Sequence, residues 1–146
     1  MRIVLYIVIL ATLFFAPLQR IEIANLEPVQ AVWMYRENGK FFLETDTKDK
    51  GSGITVMDAI ADMKHNSSGI IYLDTAQYLF VSEMKTDAIR AVQSYLKKTV
   101  RMCIWDGQGE LKTAVKYADA HKLGLKIDKW DGVGNLPELP PIKQEN

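Results

Sequence analysis

From Ile3 to Leu18 the chain carries no charge, and only Thr12 interrupts its apolar and small side chains before Pro17 bends it near the end. A core helix of a water-facing domain shows a polar position every third or fourth residue, and this run shows none. With Met1-Arg2 ahead of it, the run has the layout of the charged and apolar regions of a secretory signal. Residues 1–20 are therefore expected to form a signal peptide or an N-terminal membrane anchor, with membrane insertion through residues 3–18. Pro17 directly after Ala16, and a charge in Glu22-Ile23-Ala24, disfavour cleavage. The run is also somewhat shorter than the roughly 20 residues that cross a hydrocarbon core. The leading expectation is a cell-membrane protein with its C-terminal domain outside the cytoplasm. Secretion after cleavage is the alternative, and a buried helix in a cytosolic protein is the remaining reading.

A chain of 146 residues, 48% of them hydrophobic, has room for one domain with a real core. The formal charge is zero, from 18 basic and 18 acidic residues, and setting aside Arg2 and Arg20 leaves the rest at −2. That balance argues against a nucleic-acid binder, which presents a basic stripe. Cys103 is the only cysteine, so one chain forms neither a disulfide nor a cysteine-based zinc site. Its setting, Met102-Cys103-Ile104-Trp105, is that of a small buried hydrophobe.

Beyond the apolar run, periodicity predicts an α+β fold, one small mixed-sheet domain with about three helices over residues 26–130. Val29 to Tyr35 and Lys40 to Thr45 read as strands around an Asn38-Gly39 turn, since both residues tolerate positive φ. Asp46 to Gly53 reads as a polar loop. Thr55 with Asp58 reads as an N-cap, and Val56, Met57, Ile60 and Met63 follow at helical spacing to about Lys64. Asn66 to Gly69 breaks that helix, and Ile70 to Leu73 and Tyr78 to Val81 are β-prone runs, as one bent strand or two. A second helix from Glu83 places Ala88, Ile89, Val92, Tyr95 and Leu96 on one face. Arg101 to Trp105 reads as a central strand, and Glu110 to Lys122 as a third helix ended by Gly124. Leu125 to Ile127 is placed to close the sheet. Residues 131–146, with Pro137, Pro140 and Pro141, read as an extended flexible tail.

No catalytic, cofactor-binding or metal constellation stands out. His65, just past the first helix, and His121, inside the last, lack ligand spacing and read as surface or capping residues. Lys48 and Lys50 spoil Asp46 to Gly51 as a calcium loop, which leaves a solvated connector. Gly51-Ser52-Gly53 lacks the lysine and spacing of a phosphate loop. Asn66-Ser67-Ser68 matches a glycosylation triplet, and Pro137 to Pro141 a short polyproline segment that could serve as a ligand for a groove. Trp33, Trp105, Trp130, Tyr35 and Tyr72 have no interleaved basic residues and read as core or core-edge side chains. Asp58, Asp62, Asp74 and Glu83 could supply acid or base, but such positions ordinarily hold caps and helix-face charges.

The order of elements is similar to the N-terminal domain of the C-type subunit of bacterial spore-germination nutrient receptors, a membrane-tethered lipoprotein family. The resemblance spans Leu26 to Gly107. It is carried by Leu26-Glu27-Pro28-Val29-Gln30-Ala31, by the hairpin ending Asn38-Gly39-Lys40-Phe41, by Val56-Met57-Asp58-Ala59-Ile60, and by Tyr78-Leu79-Phe80-Val81-Ser82-Glu83. A helix leading into Val100 to Trp105 completes it. Members of that family begin with a lipobox cysteine, whereas here none precedes Cys103, and a full receptor subunit carries further domains. The resemblance implies a spore-forming cell envelope and work through partner proteins.

The expected function is thus an exported, membrane-tethered, non-enzymatic accessory or binding protein with a membrane or envelope protein as partner and no cofactor. The alternatives are an exported enzyme whose carboxylates are dispersed in sequence, and an immunity or exclusion protein acting on a partner in the same cell.

Overall fold

The computed structural model describes residues 2–15, 26–82 and 86–142. Its elements in order are α1 (Arg2–Phe15), β1 (Leu26–Pro28), β2 (Ala31–Glu37), β3 (Lys40–Thr45), β4 (Lys50–Gly53) and α2 (Val56–Asn66). There follow β5 (Ile70–Tyr72), a 3-10 turn (Leu73–Thr75), β6 (Tyr78–Val81), α3 (Thr86–Gln93) and β7 (Arg101–Ile104). The last are α4 (Leu111–Ala120), β8 (Leu125–Lys126) and a second 3-10 turn (Ile127–Lys129). The mixed α+β class is as expected, with three helices in the domain after α1.

The Asn38-Gly39 turn forms where the sequence puts it, with φ of 50° and 79°. These are the values a two-residue primed hairpin loop needs. It joins β2 and β3, which pair from Val32 opposite Thr45 to Glu37 opposite Lys40. Six strands then order as β4-β3-β2-β6-β7-β8. The inner pairs β2–β6 and β6–β7 are parallel and the outer pairs antiparallel. A separate parallel pair joins β1 to β5, so the two apolar runs at 70–73 and 78–81 are two strands in two sheets.

Alternation along β2, β6 and β7 splits the core into two layers. Val32, Met34, Leu79, Val81 and Met102 face α2 and α3, whose Val56, Ala59, Ile60, Met63, Ile89 and Val92 complete one cluster. Ala31, Tyr78, Phe80, Cys103 and Trp105 face the other way, under Leu111, Ala114 and Ala118 of α4. With helices on both faces, β6 is buried at all four positions, which is why its sequence runs apolar without alternation.

Two expectations need correction. The span 46–53 contains a strand, β4, which pairs with β3 from Phe41 opposite Gly53 to Glu44 opposite Lys50. A Cβ on Gly51 would lie 2.2 Å from Ala59 O, and one on Gly53 would lie 2.5 Å from Ala59 N, so these glycines let α2 rest directly on the strand. The segment after residue 131 is extended but held. Ile104 N donates to Pro137 O at 2.8 Å, Leu139 N donates to Ile104 O at 2.8 Å, and Leu136 and Leu139 are buried. It covers the end of β7 that β8, paired only at Arg101 and Met102, leaves open. Residues 143–146 lie outside the described residues. No described helix is long and apolar enough to cross a membrane. The α1 helix has 14 residues, a length of about 21 Å against a hydrocarbon core of about 30 Å. Leu18 and the possible cleavage positions lie outside the described residues.

Candidate functional site

Strands β6 and β7 begin side by side, Tyr78 opposite Arg101. Three pieces of chain meet around that end of the sheet. Before β6 comes the 3-10 turn, pinned by Thr75, whose Oγ1 accepts from Val29 N at 2.9 Å and donates to Tyr72 O at 2.8 Å. Before β7 comes the turn carrying Lys97 and Thr99, where Val100 N donates to Lys97 O at 3.1 Å. Over them lies the end of α4. Its exit turn is closed by Lys122 N donating to Asp119 O and Leu123 N donating to Ala118 O, at 3.2 and 2.8 Å.

Lys122 takes a φ of 50° and Gly124 one of 107°. A Cβ on Gly124 would sit 2.7 Å from the Cβ of Arg101, so a side chain there would push the turn off the strand. The bare glycine thus sets Lys122 and Arg101 on one groove. Tyr78 is buried, and its hydroxyl donates to Asp119 Oδ1 at 3.3 Å. Burial first, and the Asp119 carboxylate second, push the Tyr78 hydroxyl pKa upward, which keeps it a neutral donor.

The result is an open groove of about 830 Å³ whose walls include Asp74, Tyr78, Lys97, Arg101, Asp119 and Lys122. That is within the range of small-molecule sites. The described residues contain one ion pair, Lys50 to Glu44 at 3.1 Å, and it lies elsewhere. No sequence motif marked this groove, because its residues come from three separate segments. The one legible signal is the charge cluster Lys97 to Arg101, which reads in sequence as an ordinary helix-to-strand connection.

Of the four carboxylates singled out in the sequence, the structure does not bring the described three to one site. Asp58 completes a capping box with Thr55, Thr55 N donating to its Oδ2 at 3.2 Å and Asp58 N donating to Thr55 Oγ1 at 3.1 Å. Asp62 accepts Ser52 N at 2.8 Å and Asn66 Nδ2 at 3.0 Å, which ties α2 to the edge strand β4. Asp74 lines the groove. Glu83 lies outside the described residues. His65 is within α2 rather than past it, and His121 caps the end of α4 rather than lying inside it. Both are exposed, and no metal-holding group of three occurs among the described residues.

Two residues behave differently from the sequence reading. Asp46 is no solvated connector: it is 8% exposed, and its Oδ1 accepts Gln30 N at 2.9 Å and Ala31 N at 3.1 Å. Tyr72 is exposed rather than core. Trp33 and Trp105 are core-edge and core as expected, their rings 5.0 Å apart edge to face, and Trp33 Nε1 donates to Ser82 Oγ at 3.0 Å. Cys103 is buried and free, and burial pushes its thiol up to about 12. A smaller cavity of about 170 Å³ lies between Trp33, Trp105, Asp46 and the start of α4. Trp105 Nε1 is the one buried side-chain polar atom without a hydrogen-bond partner among the described residues. Comparison with protein-family profiles, with curated proteins and with solved structures finds no match to this chain.

Proposed function

We propose that this chain is a non-enzymatic binding domain, held at a membrane by its apolar N-terminal segment and acting through partner proteins of a bacterial cell envelope. The observation that carries the reading is α1. All seven residues from Ile3 to Ile9 are exposed, from 75% at Ile3 to 48% at Ile9, so apolar side chains surround the helix. A helix apolar on every side is at home in lipid or in a large core, and in water each exposed CH₂ group forgoes about 0.8 kcal/mol. The apolar run continues in the sequence to Leu18. Asp58 and Asp62 support a binding role over a catalytic one, since both are engaged in holding α2 in place. The envelope setting, and a link to germination or sporulation, draws on the family resemblance over Leu26 to Gly107.

Membrane fractionation tests the anchor. The full chain is expected to sediment with membranes, to stay there through a high-salt wash and to be released by detergent. Ile7→Asp with Ile9→Asp should move it to the soluble fraction, because each aspartate near a helix centre costs about 3 kcal/mol of insertion. A wild-type chain that remains soluble and folded without detergent would contradict the reading.

A further inference from the structure

Three cations, Lys97, Arg101 and Lys122, line the groove at the start of β6 and β7, and among the described residues none of them forms an ion pair or a side-chain hydrogen bond. Lys97 and Lys122 are exposed and remain well hydrated. Arg101 is different: it is half-buried, paired through its backbone to Tyr78 and Lys126, and overlaid by Gly124. With its stem fixed along the strand, its planar guanidinium gives up less freedom on meeting an acceptor than the ammonium of an exposed lysine does. Gathering two further like charges around it adds repulsion.

Stabilisation of the α4 carboxyl end does not account for the arrangement. The carbonyls of Tyr117, Ala118 and Asp119 already accept backbone N–H groups from the exit turn. Nor does Asp119 form an ion pair with Arg101 among the described residues; its Oδ1 accepts the Tyr78 hydroxyl instead. The wall charges sum to three positive against two negative, Asp74 and Asp119, which leaves one positive charge unmatched.

The geometry points to a binding site for a small polar molecule bearing one carboxylate, with the Arg101 guanidinium as the fork that receives it. Two parallel N–H bonds from Arg to a carboxylate are the strong, geometrically selective form of this contact. Lys97 and Lys122 draw the anion in, and the Thr99 hydroxyl with the Gln77 amide is on the walls for the polar remainder. Asp74 and Asp119 discriminate against a dianion such as phosphate, which would meet two carboxylates. This inference rests on the groove alone and stands apart from the membrane reading.

The test is a titration of the full-length ¹⁵N-labelled chain, kept in non-ionic detergent, with lactate and separately with inorganic phosphate at constant ionic strength. Lactate should shift the amide signals of Thr99, Arg101 and Lys122 to saturation. Arg101→Gln should weaken that binding at least tenfold. Lys97→Gln and Lys122→Gln, at exposed positions that leave the core intact, should each weaken it severalfold and flatten its salt dependence. Shifts that never saturate, or that are unchanged by all three substitutions, would overturn the proposal. Phosphate binding more tightly than lactate would overturn the assignment to a monocarboxylate.

Discussion

At the start of β2 one carboxylate does the work of a strand partner. Asp46 leaves β3 just past the hairpin and takes up the N–H groups of Gln30 and Ala31, while its own N–H donates to Ala31 O at 3.2 Å. Removing it would strand a buried Ala31 donor, the kind of loss that costs about 1–3 kcal/mol. Cys103 is the opposite case, a reactive group silenced by its surroundings. It lies on β7 under α4, fully buried, and with its thiol pKa raised from 9.0 to about 12 it stays protonated where a solvated thiol ionises. Because only the thiolate attacks, the labelling rate in the native protein should show no step as pH rises through 9, and should be slow throughout. In denaturant the rate should rise with pH around that value and be far faster. Rapid native labelling with a midpoint near 9 would mean that Cys103 is exposed.

The hairpin, the capped helix α2 and the central strand β7 were legible because each has a local cause: positive φ at Asn38-Gly39, the Thr55–Asp58 capping box, a short apolar run bounded by Asp106-Gly107. The strand β4 was not legible, since Lys50-Gly51-Ser52-Gly53 carries no β-favouring side chain. Its reason lies in the contact with α2, where glycine provides room rather than flexibility, and contact of that kind has no sequence periodicity. The groove was hidden for a related reason, its walls being brought together only by the parallel register of Tyr78 with Arg101.

Two glycine substitutions separate these cases. At Gly39 a Cβ meets nothing within 4 Å, so Gly39→Val costs only the strain of a branched residue at φ 79°, about 1 kcal/mol or somewhat more. At Gly51 even Gly51→Ala drives a methyl against Ala59 O and the Met63 backbone and should cost about 2–3 kcal/mol. Denaturant melts with equal slopes should rank Gly51→Ala below Gly39→Val. The reverse order would mean that α2 does not rest on β4.

Across the whole molecule, the two helical layers and the docked segment around Leu136 and Leu139 enclose the parallel strands, and the polar groove opens beyond the starts of β6 and β7. The apolar helix α1 stands in contrast to that economy, with hydrophobic side chains exposed from Ile3 to Ile9. A domain of this size with a tether gains effective concentration toward partners in the same membrane without any added contact. The central claim is therefore one of place, and a topology reporter addresses it most directly. Fused after Gln144 in the otherwise unaltered chain, a phosphatase that is active only outside the cytoplasm should be active, and a reporter that works only in the cytoplasm should be silent. The opposite pattern, a silent phosphatase and an active cytoplasmic reporter, would contradict the account.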